Sequence, residues 1–143
     1  MILQTHSYWA YLGVLLLIFS VIIFKLGWFQ SKKFTVKEQR LALFTLIIFH
    51  IQLLIGLAWY FMSPSYQALK HLGMGEAMKN SQIRLMAVEH PIMMLLAITL
   101  ITIGYSKHKK RTTDKSKFLT LIWYYGIALL FVLIRIPWQQ WFD

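Results

Sequence analysis

Four long apolar runs alternate with short polar segments along the chain, at 8–28, 41–62, 85–105 and 118–138. Each is close to the roughly 20 residues a helix needs to cross a bilayer. The pattern predicts an all-α fold: one transmembrane four-helix bundle occupying 1–143 as a single domain. Aromatic residues sit at many of the run ends, including Tyr8, Trp9, Trp28, Trp59, Tyr60, Tyr105, Trp138 and Trp141. Rings at those positions suit the headgroup level. At 100° per residue, His6 shares a face with Ala10, Gly13 and Ser20, and His90 lines up with Ala97 and Gly104. Small residues at such spacing let membrane helices approach, so both histidines are expected to face the bundle interior. Arg135 shares its face with Phe131, Ala128 and Tyr124. His50 and Gln52 point nearly opposite ways. Gln52 goes with Thr45 and Gly56, as interhelical glue, while His50 is flanked by Leu46, Leu53, Leu54 and Leu57.

Punctuation between the runs refines the elements. Thr35-Val-Lys-Glu38 is a capping-box pattern that opens the second helix. Ser116 is the expected N-cap of the fourth. The segment Ser63 to Arg84 begins Ser-Pro-Ser, contains Gly73 and Gly75, and has room for a short interfacial helix. A third helix beginning at Pro91 would be too short for a hydrocarbon core of about 30 Å. It is therefore expected to begin between Ser81 and Leu85, with Pro91 inside it. Proline there frees the carbonyl of Ala87 and favours a kink.

Charge orients the bundle. The chain is 58% hydrophobic yet carries a formal charge of +10. Eleven of its fifteen basic residues lie in or beside the loops joining runs 1 to 2 and 3 to 4. That clustering is a membrane pattern, not a nucleic-acid footprint. The positive-inside rule makes those loops cytoplasmic and puts both termini and the 63–84 loop on the non-cytoplasmic side. No cleavable signal peptide is expected, because no basic residue precedes the first apolar run and no small-residue cleavage site follows it. The absence of cysteine excludes disulfides, thiolate haem ligation, covalent c-type haem and cysteine-ligated iron–sulfur clusters. Five acidic residues, with no phosphate loop and no nucleophile–base arrangement, leave hydrolytic and phosphoryl chemistry without support.

The chemistry then rests on ionisable side chains at membrane depth, which mark functional sites by default. Imidazole is a common ligand of haem iron. His6 and His90 fall at similar depth near the non-cytoplasmic edge and are the candidate metal ligands. Glu89 can orient the His90 imidazole or pair with Arg135 or Arg84. Arg135 is placed either to clamp a propionate or to reach the headgroups. His50 lies near the midplane, where it can ligate a second cofactor, relay protons, touch a quinone or bond to another helix. His71, Met74 and Met78 have the spacing of a soft copper site, but such a stripe is far more often the apolar face of an interfacial helix. His108, among lysines, is expected at the solvated surface. The basic loops can contact anionic lipids.

His6-Ser7-Tyr8-Trp9, His50-Ile51-Gln52 with Gly56 and Tyr60, Arg84 with Glu89-His90-Pro91, and Arg135-Ile136-Pro137-Trp138 together resemble a family of small four-span membrane proteins of Bacteroidota, labelled cytochrome b-like. Glu-His-Pro and Arg-Ile-Pro-Trp carry most of the resemblance, which runs over nearly the whole chain. In that family the tryptophan is often followed by Arg-Trp; here Ala10-Tyr11 stands instead, so any contact of that arginine is absent. The layout is also distantly similar to four-helix copper-resistance proteins and to haem-binding membrane protoporphyrinogen oxidases. The resemblance implies haem b held by histidines and electron transfer in the bacterial inner membrane, with other membrane subunits or redox partners. The alternatives are a cofactor-free subunit or assembly factor of a larger complex, and a haem-dependent tetrapyrrole oxidase or copper-handling protein.

Overall fold

The computed structural model describes residues 1–142. Over the described residues the chain is all helical, with four helices long and apolar enough to cross a membrane. Helix α1 covers Ile2–Phe29 and α2 covers Val36–Met62. A shorter α3, Pro64–Ala77, leads to α4, Ser81–Arg84. A π-helical turn, Leu85–Glu89, then joins α4 to α5, His90–Lys109. These last three pieces form one continuous rod over Ser81–Lys109. Helix α6 covers Asp114–Arg135, and a terminal turn, α7, covers Trp138–Phe142. The order of packing around the bundle is α2, α1, α6, α5, with α5 closing back on α2.

The helix ends follow local chemistry. The capping box forms as expected: the Thr35 hydroxyl accepts from Lys37 N and the Glu38 carboxylate accepts from Thr35 N. Asn80 caps α4 by accepting from Ile83 N at 3.0 Å. Ser63 caps α3, and Pro64 takes the first helical position, where its missing N–H is no loss. Ser116 is not the cap of α6. Thr113 is, accepting from Ser116 N at 3.2 Å, which lengthens the helix by a turn. At the other end α6 stops at Arg135, three residues before the expected Trp138. The residue before a proline avoids helical backbone, and Ile136 is extended at φ −66°, ψ 136° ahead of Pro137.

The two halves of the bundle pack differently. Near the basic loops the core is dense. Leu17, Phe24, Ile101, Phe118, Leu121 and Tyr125 are fully buried. Tyr125 donates to the Ala42 carbonyl at 2.7 Å, and the Ser20 and Thr45 hydroxyls meet at 2.8 Å. Gly27 and Gly104 bring backbones against aromatic side chains: a Cβ at either would lie 2.4 Å from Phe118 or Tyr124. His108 belongs to this core and not to the surface. It is 1% exposed and packs on Phe34 at 5.4 Å and Tyr105 at 4.9 Å. The reason is that α5 runs past Tyr105, so His108 follows Gly104 one turn on along the inward face. Outward faces carry exposed Leu15, Phe19, Leu54 and Leu130, the surface that a lipid bilayer solvates. The far half of the bundle encloses a cavity instead.

Candidate functional site

The cavity is about 950 Å³, within the range of cofactor sites. It lies between α1, α2 and the α4–α5 rod, floored by Phe49 and Ile98 and bordered by α3 and α7. His6 and His90 both line it. Their ring centroids are 6.3 Å apart with the planes at 85°. The fold thus joins the two histidines across 84 positions of sequence. His6 lies a full turn inside α1, because that helix begins at Ile2 and not near Tyr8.

Each ring is held by its Nδ1. His90 donates Nδ1–H to the Arg135 carbonyl at 2.8 Å, since a carbonyl only accepts. That carbonyl is free because Pro137 ends α6 there, and the last carbonyls of a helix lack helical donors. The His90 Nε2 is left with its lone pair. On the facing side, Gln52 Nε2 donates to His6 Nδ1 at 3.0 Å and to the His6 carbonyl at 3.1 Å. Gln52 Oε1 is buried with no partner. Gly56, one turn further along α2, makes room for the ring: a Cβ there would lie 3.2 Å from His6 Cε1.

The π-helical turn supports His90 from behind. Pro91 cannot donate to the Ala87 carbonyl. The expected vacancy is filled from α2, where Tyr60 donates its hydroxyl to Ala87 O at 2.8 Å. Single π turns of this kind recur at functional sites. Tyr60→Phe is expected to leave that carbonyl without a donor, costing about 1 kcal/mol. Amide hydrogen exchange should rise over residues 85–91 and stay unchanged in α6; equal exchange in both proteins would show that the bond contributes nothing.

The charged residues form a separate cluster, and Arg84, Glu89 and Arg135 do not line the cavity. Glu89 sits between two arginines, with Arg84 Nε 3.0 Å from Oε1 and Arg135 Nε 3.5 Å from Oε2. Arg84 also donates to the Met78 carbonyl. Of the two roles open to Glu89, the ion pair is the one its contacts show. The Arg135 backbone, not the Glu89 carboxylate, orients His90. Arg135 itself is about one-third exposed. His50 is absent from the cavity wall and belongs to another cleft on the outside of the bundle. Gly73, at φ 77°, breaks α3 between His71 and Met74, so the expected histidine–methionine stripe is not one helix face. Among the described residues no group of three His, Cys, Asp or Glu converges on a common point.

Gln52 and Tyr60 were not among the candidate site residues. The signal was present in the four-residue steps Gln52, Gly56, Tyr60, which put an amide, a gap and a hydroxyl on one line of α2. Comparison with protein-family models, curated proteins and solved structures finds no match to this chain, so the reading of the site rests on its own geometry.

Proposed function

We propose that this cavity holds a b-type haem with His6 and His90 as axial ligands, and that the protein carries electrons in the bacterial inner membrane. The observation that carries the reading is the spacing of the rings. Two imidazoles sharing one metal, each nitrogen about 2 Å from it, put their centroids roughly 6 Å apart. The two rings stand at 6.3 Å, each with Nδ1 engaged by a second-layer group. Such outer partners fix the orientation of metal-binding histidines. A pair of ligands also suits a metal that brings its own equatorial nitrogens, whereas a bare zinc ion takes four ligands.

Gln52 bears on the His6 tautomer. As placed, the amide N–H donated to His6 Nδ1 puts the ring proton on Nε2. For Nε2 to hold a metal that proton would have to move to Nδ1, with the amide N–H keeping only its bond to the His6 carbonyl. Arg135 and Arg84, paired with Glu89 beside the cavity-lining His90, would supply positive charge for propionates. Haem, once bound, provides one-electron chemistry; the protein holds it, sets the histidine tautomers and surrounds it with apolar side chains. Other membrane subunits or redox partners would give and take the electrons.

A reduced-minus-oxidised spectrum of the purified protein tests this directly. A Soret band and a sharp α-band are expected. Protein that shows neither, even after haem supplementation, overturns the reading and returns the site to hydrogen-bonded glue in a cofactor-free subunit. Oxidation of protoporphyrinogen by the purified protein would favour the tetrapyrrole oxidase instead.

A further inference from the structure

A second, smaller cleft of about 230 Å³ opens on the outside of the bundle between α2 and α5. His50, Thr99 and Thr102 line it, with Leu53, Leu95, Ile98 and Ile103. His50 is the fifteenth of the 27 residues of α2, so the cleft lies at mid-bundle. His50, Thr99 and Thr102 do not line the proposed haem site.

Their hydrogen-bonding capacity has one sign. His50 Nδ1 is 2.8 Å from the Leu46 carbonyl, which can only accept, so Nδ1 carries the proton and Nε2 a lone pair. Thr102 Oγ1 is 3.4 Å from that Nε2, but its single hydrogen goes to the Ile98 carbonyl at 2.8 Å. Thr99 spends its hydrogen on the Leu95 carbonyl at 2.7 Å. The cleft therefore presents an imidazole nitrogen and two hydroxyl oxygens as acceptors, with no donor. In hydrocarbon an unmatched acceptor is unfavourable, and water is scarce at this depth.

We infer that this cleft is a binding site for a lipid-soluble hydroquinone, whose phenolic O–H donates to His50 Nε2. A hydroquinone carries O–H donors on a flat, mostly apolar ring to the depth where the cleft lies, whereas headgroup hydroxyls stay at the interface. The oxidised quinone has carbonyls only and finds no donor here. The cleft and the histidine cavity share Leu53, Leu95 and Ile98 as a common wall. One layer of side chains therefore separates the hydroquinone ring from the proposed haem. The binding itself does not depend on haem, so the two proposals fail separately.

The test is NMR of the protein labelled with ¹⁵N-histidine in lipid nanodiscs, titrated anaerobically with tetramethylhydroquinone and, separately, with its quinone. Saturable shifts of the His50 imidazole signals are expected with the hydroquinone, at an affinity at least tenfold above that of the quinone. His50→Leu should abolish binding, and Thr102→Val should weaken it several-fold. The first change puts an apolar side chain on a lipid-facing position, and helix content by circular dichroism checks that the variant folds. Equal affinity for quinone and hydroquinone, unchanged binding by His50→Leu, or shifts from water or a second copy of the chain alone would each overturn the assignment.

Discussion

Replacing His90 with alanine is expected to remove nearly all low-spin haem absorbance per polypeptide, while His50→Ala keeps it. Pro137 stops α6, which leaves the Arg135 carbonyl free to hold His90 by Nδ1, with Nε2 left unpartnered on a ring that lines the cavity. Alanine removes the one imidazole that α5 contributes to the cavity wall. His6→Ala should also remove the low-spin spectrum but keep haem bound, since His90 keeps its own support and can hold a five-coordinate, high-spin iron. His50 takes no part in the cavity wall. Visible spectra of the three purified variants, normalised to protein, decide the matter. A normal spectrum in His90→Ala, or loss in His50→Ala alone, would displace the proposed pair.

Gly104→Ala should destabilise the bundle by about 1–3 kcal/mol, the usual penalty for overpacking. The added Cβ would fall 2.4 Å from the Tyr124 Cβ and 2.9 Å from its Cγ. Neither atom is the free end of a flexible side chain; both ride on the α6 backbone, so α5 and α6 would have to part. Gly126→Ala is the matched control. Nothing lies within 4 Å of a Cβ there, and alanine gains roughly 0.8–1 kcal/mol of helix propensity over glycine. Unfolding in detergent, followed by circular dichroism, should therefore show a lowered midpoint for the first variant and an unchanged or raised one for the second. Equal midpoints would mean that the close contact at Gly104 relaxes without strain.

Helix positions and inward faces were legible in the chain because both depend on short-range periodicity. Ser20, Ala97 and Gly104, read as facing inward from their spacing, are buried. The vacancy at the Ala87 carbonyl was equally readable from Pro91. What completes each local feature was not. Tyr60 reaches Ala87 from another helix, and Gln52 reaches His6 across 46 positions. Such partners depend on helix rotation and offset, which no single segment encodes. His108 was misplaced for a related reason: its lysine neighbours suggest solvent, whereas Phe34 from a distant loop covers it. Helix ends shifted where a cap or a proline outweighed hydropathy, as at Thr113 and Ile136.

The π-helical turn has an effect on angular phase. In an α-helix, side chains five positions apart point about 140° away from each other, from 100° per residue. Arg84 and Glu89 are five apart and yet form an ion pair at 3.0 Å. The wider turn of Leu85–Glu89 absorbs the surplus residue, so the residues before it are rotated relative to those after it, as by a one-residue insertion. Its removal would restore an unbroken α-helix and swing Arg84 away from Glu89. In this rod one extra amino acid therefore acts as a rotational adjustment between Arg84 and the segment that carries Glu89 and His90.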